Sequence, residues 1–321
     1  MRDRPLLVGS LVVILAASGF GLLGPLARFA YDAGFEPLAF VAWRAVFGVL
    51  VIAVVIGARA RGGTGVVNPL RLPRRDAVGL TIVAFAGLGL NVAMFLAFDL
   101  ATVAVVLLAF YTYPALVALV AVVLGHERLD GTRWAALGLA LGGMILVVAG
   151  SLGAASGVGA VAIHPLGIAL GLAAAAGQTV FITVSRGRFS TVPPEQAMGW
   201  VLLLTALVCG SLAIVFGNDL LIPVKSGSAL LLAAVAGVVA AGIPSVLFLI
   251  GIRAIGGTRA GILMLFEPLV GVTLAALLLH EGLAPNQVAG GAAILAAALL
   301  IQRGTAGAGI DPIVVPLAEH A

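Results

Sequence analysis

The apolar positions of this chain run in long blocks, and the blocks end at glycine, proline or charged residues. Most are close to the ~20 residues a helix needs to cross the hydrocarbon of a bilayer. Ten blocks can be drawn, at about 6–27, 37–57, 77–98, 101–124, 134–150, 165–184, 196–216, 229–252, 258–279 and 285–301. From Trp134 to Ser185 there is no charged residue, and the Gly/Ser-rich GSLGAASGVGA (150–160) supplies the turn between two spans. A β-barrel would need segments of ~10 residues alternating apolar and polar positions, and these are absent. The pattern predicts an all-α integral membrane protein with ten transmembrane helices.

Composition agrees. Of 321 residues, 62% are hydrophobic and 9% charged, and the mean hydropathy is +1.23. A soluble domain has ~25% charged residues, so this chain has too few to clothe a soluble surface. MRDRP ahead of the first block resembles the start of a signal peptide, but the apolar run continues past AAS (16–18) to Leu26 and reads as a retained span. The single cysteine, Cys209, excludes a disulfide framework and a thiolate metal site.

The net charge of +4 has a topological explanation and implies no nucleic-acid partner. With the N-terminus in the cytoplasm, 14 of the 17 basic residues fall in cytoplasmic segments, Arg28 and Lys225 fall outside, and Arg44 lies within a span. Such a bias sets orientation. It places both termini in the cytoplasm of a cell (inner or plasma) membrane, and the loop 151–164 outside.

The chain also repeats itself. YPALVALVAVVLGHERL (113–129) and EPLVGVTLAALLLHEGL (267–283) stand 154 residues apart and share six of 17 positions, among them Pro114/Pro268, His126/His280 and Glu127/Glu281. At offsets of 157–158, AASGF (16–20) meets AAGQT (175–179), Arg28 meets Arg186 and Trp43 meets Trp200. Two halves of five spans follow: residues 1–150, residues 151–302 and a short cytoplasmic tail at 303–321. Because five is odd, the second half enters the membrane inverted. That is the layout of secondary transporters with a site between the halves.

In the Trp43–Arg44 pair, the FEP at 266–268, the proline-to-glutamate runs ending at Glu127 and Glu281, and the Gly-rich last helix of each half, residues 8–302 resemble the EamA family of the drug/metabolite transporter superfamily. The resemblance implies a ten-helix permease for small organic solutes, often an exporter of amino acids or related metabolites. The halves differ at two telling places: Val201 stands opposite Arg44, and Tyr113 opposite Glu267.

Glu267 is the most unusual residue, a carboxylate near the middle of the ninth span, where insertion costs ~2.5–3.5 kcal/mol. Binding of substrate or of a coupling proton is one reading; a structural lock to another helix is the other. Arg44, about 10 Å deep at 1.5 Å per residue, either snorkels outward or binds an anionic group. With Glu267 it would suit a zwitterion. Trp43, Tyr111, Tyr113 and Trp200 are candidate cavity walls. Tyr111 and Tyr113, two apart, cannot share a helix face, so only one of them should line the cavity. Asn91, Gln178 and Ser245 are in-span polar groups that bond either a substrate or a neighbouring helix. Pro114 and Pro268 are candidate hinges. Glu127 and Glu281 read as helix-end caps, with His126 and His280 beside them at the interfaces.

No Ser/His/Asp set, metal-ligand cluster or nucleotide-binding loop is present, so no catalysis, metal or cofactor is expected. A membrane enzyme would need clustered acidic and histidine residues near one interface, and a sensor or scaffold a large soluble domain. The expected partners are a small-molecule substrate, the lipid bilayer and a coupling proton, with the protein a monomer or homodimer. Import, or carriage of drug-like or lipid-like solutes, stays open beside export of an amphipathic metabolite.

Overall fold

A computed structural model describes residues 4–62, 66–68, 71–101, 103–125, 129–154, 164–278 and 285–303. His126, Glu127, His280 and Glu281, most of the 151–164 loop and the tail beyond Arg303 lie outside the described residues.

Every regular element among the described residues is helical. In the first half these are α1 (Arg4–Gly21), α2 (Leu23–Asp32), α3 (Pro37–Arg61), α4 (Arg74–Leu100), α5 (Val103–Phe110), α6 (Tyr113–Val123) and α7 (Gly131–Ala154). In the second they are α8 (Pro165–Gly187), α9 (Pro194–Val215), the short α10 (Ile222–Lys225), α11 (Gly227–Gly237), a π-helical turn (Val238–Gly242), α12 (Ile243–Ile255), α13 (Gly257–Met264), α14 (Phe266–Leu278) and α15 (Pro285–Arg303).

Eight stretches among the described residues are long and apolar enough to cross a bilayer, against the ten spans drawn from the sequence. The difference lies in the last two. No counted stretch falls on the expected ninth span, which holds α13 and α14 about a break at Leu265, and the apolar part of α15, Pro285–Leu300, is shorter than the rest. The fourth span is interrupted too, at Tyr111 and Thr112.

Proline accounts for both interruptions. Pro114 stands in the first turn of α6 and Pro268 in the first turn of α14. A proline lacks the N–H that the carbonyl four residues earlier would receive, and its ring crowds that carbonyl. The chain closes each preceding helix with a tighter i→i−3 bond instead, Thr112 N–H to Ala109 O and Leu265 N–H to Ile262 O. Pro244 follows the π-helical turn in the same way.

The principal packing pairs join the first half of the chain to the second: α1 with α12, α4 with α8, α3 with α9, and α7 with α15. Small residues permit this closeness. A β-carbon on Gly290 would lie 2.4 Å from the carbonyl oxygen of Gly143 across the α7–α15 contact. The outer faces are aliphatic, with Val54, Val123, Ile214 and Val215 largely exposed. Only lipid satisfies so large an apolar surface.

Candidate functional site

The two helix breaks come together. α6 packs on α13, and α13 and α14 pack on α1. An added β-carbon on Gly261 of α13 would lie 3.7 Å from Pro114 and 3.8 Å from the Tyr113 ring. Glu267, in the first turn of α14, has the Tyr111 phenol as its nearest electrostatic neighbour. Tyr113 sits beside the same carboxylate. Its own hydroxyl is buried and has no hydrogen-bond partner among the described residues. Phe110 closes the group, with ring centroids 5.3 Å from Tyr111 and 5.2 Å from Tyr113.

Two sequence expectations change here. Tyr111 and Tyr113 are both beside Glu267, their rings 6.5 Å apart. The opposite-face rule for positions two apart holds within a helix, but the backbone between these residues is the break itself. Glu267 is likewise at the start of a helix and not in the middle of one. It is half-buried although protein surrounds it closely, as a group lining a crevice would be. Its backbone carbonyl lies against Gly21 of α1, where a β-carbon would come within 2.8 Å.

Arg44 does not meet Glu267. Its guanidinium donates to Asn91 Oδ1 at 3.3 Å, Asn91 in turn donates to Gly87 O at 2.7 Å, and Tyr31 and Cys209 are its other polar neighbours. Arg44 is 8% exposed, so it has not snorkelled, and its Nε has no partner. Among the described residues no carboxylate pairs with it. Trp43 donates its indole N–H to Leu220 O at 3.0 Å and packs on Phe47, fastening α3 to the segment after α9.

Trp200 lies on the outward stripe of α9 with Leu207, Ser211 and Ile214, a lipid-facing position rather than a cavity wall. Gln178 in α8 and Ser245 in α12 are half-buried. Among the described residues no three His, Cys, Asp or Glu side chains gather closely enough to hold a metal.

Sequence reasoning passed over a second polar cluster at the arginine-rich end of the molecule. Asp76 in the first turn of α4 accepts from Phe189 N–H at 3.2 Å and from the Thr191 hydroxyl. Arg253 in the last turn of α12 donates to Val192 O at 2.9 Å and Phe189 O at 3.0 Å. Glu195 in the first turn of α9 pairs with Arg59 at the end of α3. Each of these charges, taken singly, reads as an ordinary helix-end residue. Their only sequence signal was that Asp76 and Glu195 each stand in the first turn of a span that a proline opens.

The model of the EamA-like transporter family matches residues 7–149 and again residues 165–303. A protein of Synechocystis sp., named only as an uncharacterized transporter, is 28% identical over 257 residues, covering 75% of this chain and 72% of that protein. A solved structure titled as the crystal structure of a protein superposes with a TM-score of 0.73 at 22% identity, covering 94% of this chain and 98% of its own. At that identity the likeness concerns the fold alone.

Proposed function

This chain belongs to the EamA-like transporter family, and on that premise we propose that it exports a small amphipathic metabolite, an amino acid or a related compound, by alternating access. It is a multi-pass membrane transporter. The finer reading rests on one observation: the paired breaks at 111–112 and 265 carry a carboxylate and two phenols to one place inside the bundle. Non-helical backbone at membrane depth is tolerated where it is buried in protein or lines a cavity. A carboxylate at that depth marks a substrate or proton path.

In this reading Glu267, Tyr111 and Tyr113 form one polar pole of the transport path and Arg44 with Asn91 another, on different helices. An amphipathic solute bearing both charges engages them in turn. The α13–α14 pair and α15 complete ten crossings in two inverted halves. In this reading both ends lie on the cytoplasmic side of the cell membrane, which the arginine distribution supports. Glu267 is the group we assign to a coupling proton, and Pro114 and Pro268 are the hinges that let the half-helices move.

The test is transport in proteoliposomes against a panel of amino acids, nucleosides and cationic drugs, with and without a pH gradient and in both directions. Glu267→Gln keeps the shape and one hydrogen-bonding oxygen but cannot give up a proton. It should lose gradient-driven accumulation while retaining exchange of substrate. A stable Glu267→Gln protein with normal, fully coupled transport refutes the assignment. Movement of none of the panel refutes the substrate class.

A further inference from the structure

We infer that the connection between α8 and α9, residues 188–193, is the gate that closes the transport path at the arginine-rich end, with Arg253 of α12 and Asp76 of α4 as its bolts. This inference rests on the transporter reading, but its test does not need transport to occur.

The connection is short and has no helix of its own, yet it is among the best-buried parts of the chain. Phe189 is 0% exposed and Val192 2% exposed. The backbone of Phe189 has φ 46°, the left-handed region that bulky residues avoid. Such a conformation persists only where surrounding contacts hold it, and here they come from both sides. Asp76 takes the Phe189 N–H and the Thr191 hydroxyl, while Arg253 takes the carbonyls of Phe189 and Val192. The Arg253 guanidinium also lies 5.2 Å from the centroid of the Phe189 ring. Arg75 reaches Gly187 O at 3.3 Å, and the Arg59–Glu195 pair ties the next turn of α9 to α3.

α4 and α12 are therefore tied at one end through the six residues 188–193, and α3 joins them through Glu195 of α9. None of these bonds belongs to the helices' own ladders. A rigid displacement of α4 from α12 need break only the Asp76 bonds or the Arg253 bonds, and unfolds no helix. That is the property a gate needs and a structural core lacks.

A second layer lies further in. Phe248 of α12 stacks on Phe181 of α8, with ring planes 1° apart and centroids 6.4 Å apart, and meets Phe20 of α1 edge-on at 6.5 Å. Between the layers Ser185 is 1% exposed, and its hydroxyl has no partner. Glu267, Asn91 and Gln178 all keep accessible surface. The structure is the conformation closed at the 188–193 end.

Ser185 is a conservative place for a reporter cysteine beneath the gate. In a Cys209→Ala background, Ser185→Cys protein in liposomes should resist an impermeant thiol reagent applied to either side. Adding Arg253→Gln should speed labelling from the 188–193 side at least about tenfold, the factor expected when charge-assisted hydrogen bonds are lost from the closed state. Thr191→Val, which deletes one hydroxyl bond to Asp76 and keeps the shape, should give a smaller rise in the same direction and decides the matter if Arg253→Gln does not fold. Ala297→Cys, 0% exposed in α15, which packs mainly on α7 and not on the helices the gate ties, should stay protected in both. Unchanged labelling of Ser185→Cys in the folded variants overturns the gate. So does an equal rise at Ala297→Cys, which would mean general loosening.

Discussion

Gly237→Ala is a small change that the structure makes expensive. Gly237 ends α11 where that helix runs into the π-helical turn, and α3 crosses it there at backbone contact. A β-carbon on Gly237 would stand 2.4 Å from Phe47 Cβ and 2.6 Å from Arg44 O. Non-bonded carbons rest at about 3.5–4.0 Å, so the crossing must open by about 1 Å. Neither obstacle is a side-chain tip that can swing away. One is a carbonyl, and the other is a first side-chain carbon that even Phe47→Ala would keep. Overpacking of this kind costs ~1–3 kcal/mol, and with backbone on both sides we take about 3 kcal/mol. Alanine returns about 1 kcal/mol of helix propensity. The net loss of about 2 kcal/mol corresponds to a Tm lower by about 3 °C, at ~2.1 cal/mol/K of unfolding entropy per residue. Thermal unfolding in detergent, followed by loss of the monodisperse peak, measures it. Gly138→Ala is the control: its β-carbon would meet nothing within 4 Å, so its Tm should hold or rise. A Gly237→Ala protein as stable as wild type would show that α3 and the π-helical turn do not touch as described. The neighbouring Arg44–Asn91 bond would then be in question as well.

The remaining predictions are briefer. Asn91→Leu takes the only carboxamide partner from the buried Arg44 and should destabilise by ~3 kcal/mol, whereas Arg44→Leu with Asn91→Leu should recover most of that loss, because no unpaired charge remains buried. Equal stability of the single and double variants in a denaturant titration would sink the pairing. Outside the membrane, the Lys225 ammonium hydrogen-bonded to Asp219, helped by the Leu221 N–H, holds that carboxyl below the usual aspartate range. A lowered folded-state pKa makes the contribution complete above the ordinary aspartate pKa and removes it as pH falls through the lowered value. The small Tm difference between Asp219→Asn and wild type should therefore be present at neutral pH and vanish in strongly acidic buffer. A difference that persists there contradicts the linkage.

Much of the candidate site was legible in the chain as a set of anomalies. Glu267, Arg44, Tyr111 and Tyr113 stood out because polar groups inside apolar runs are costly, and cost is a property of a residue and its immediate neighbours. Which anomalies meet was not legible. Arg44 and Glu267 looked like partners by charge, yet Arg44 donates to Asn91 on α4 while Glu267 lies beside Tyr111 on the chain before α6. Trp200 matched Trp43 in the repeat, yet it points to lipid while Trp43 is tied to Leu220. A repeat relates positions along the chain; it does not say which face of each copy is turned inward.

By itself the sequence determined that the protein is helical and membrane-embedded and that its halves correspond, because the bilayer leaves backbone polar groups no other partner and the length of apolar runs is local information. The sequence marked Pro114 and Pro268 as places where the helices could break, but tertiary structure alone decided that two tyrosines two positions apart reach the same carboxylate. Proline removes one bond locally, but whether the chain bends, continues or splits depends on what packs against the freed carbonyl. It also decided that Asp76, Arg253 and Phe189, scattered over 178 positions of sequence, form one latch. No local pattern marks them, because Asp76 and Arg253 are unremarkable helix-end residues and Phe189 an unremarkable loop residue until the fold brings all three to the same end of the bundle.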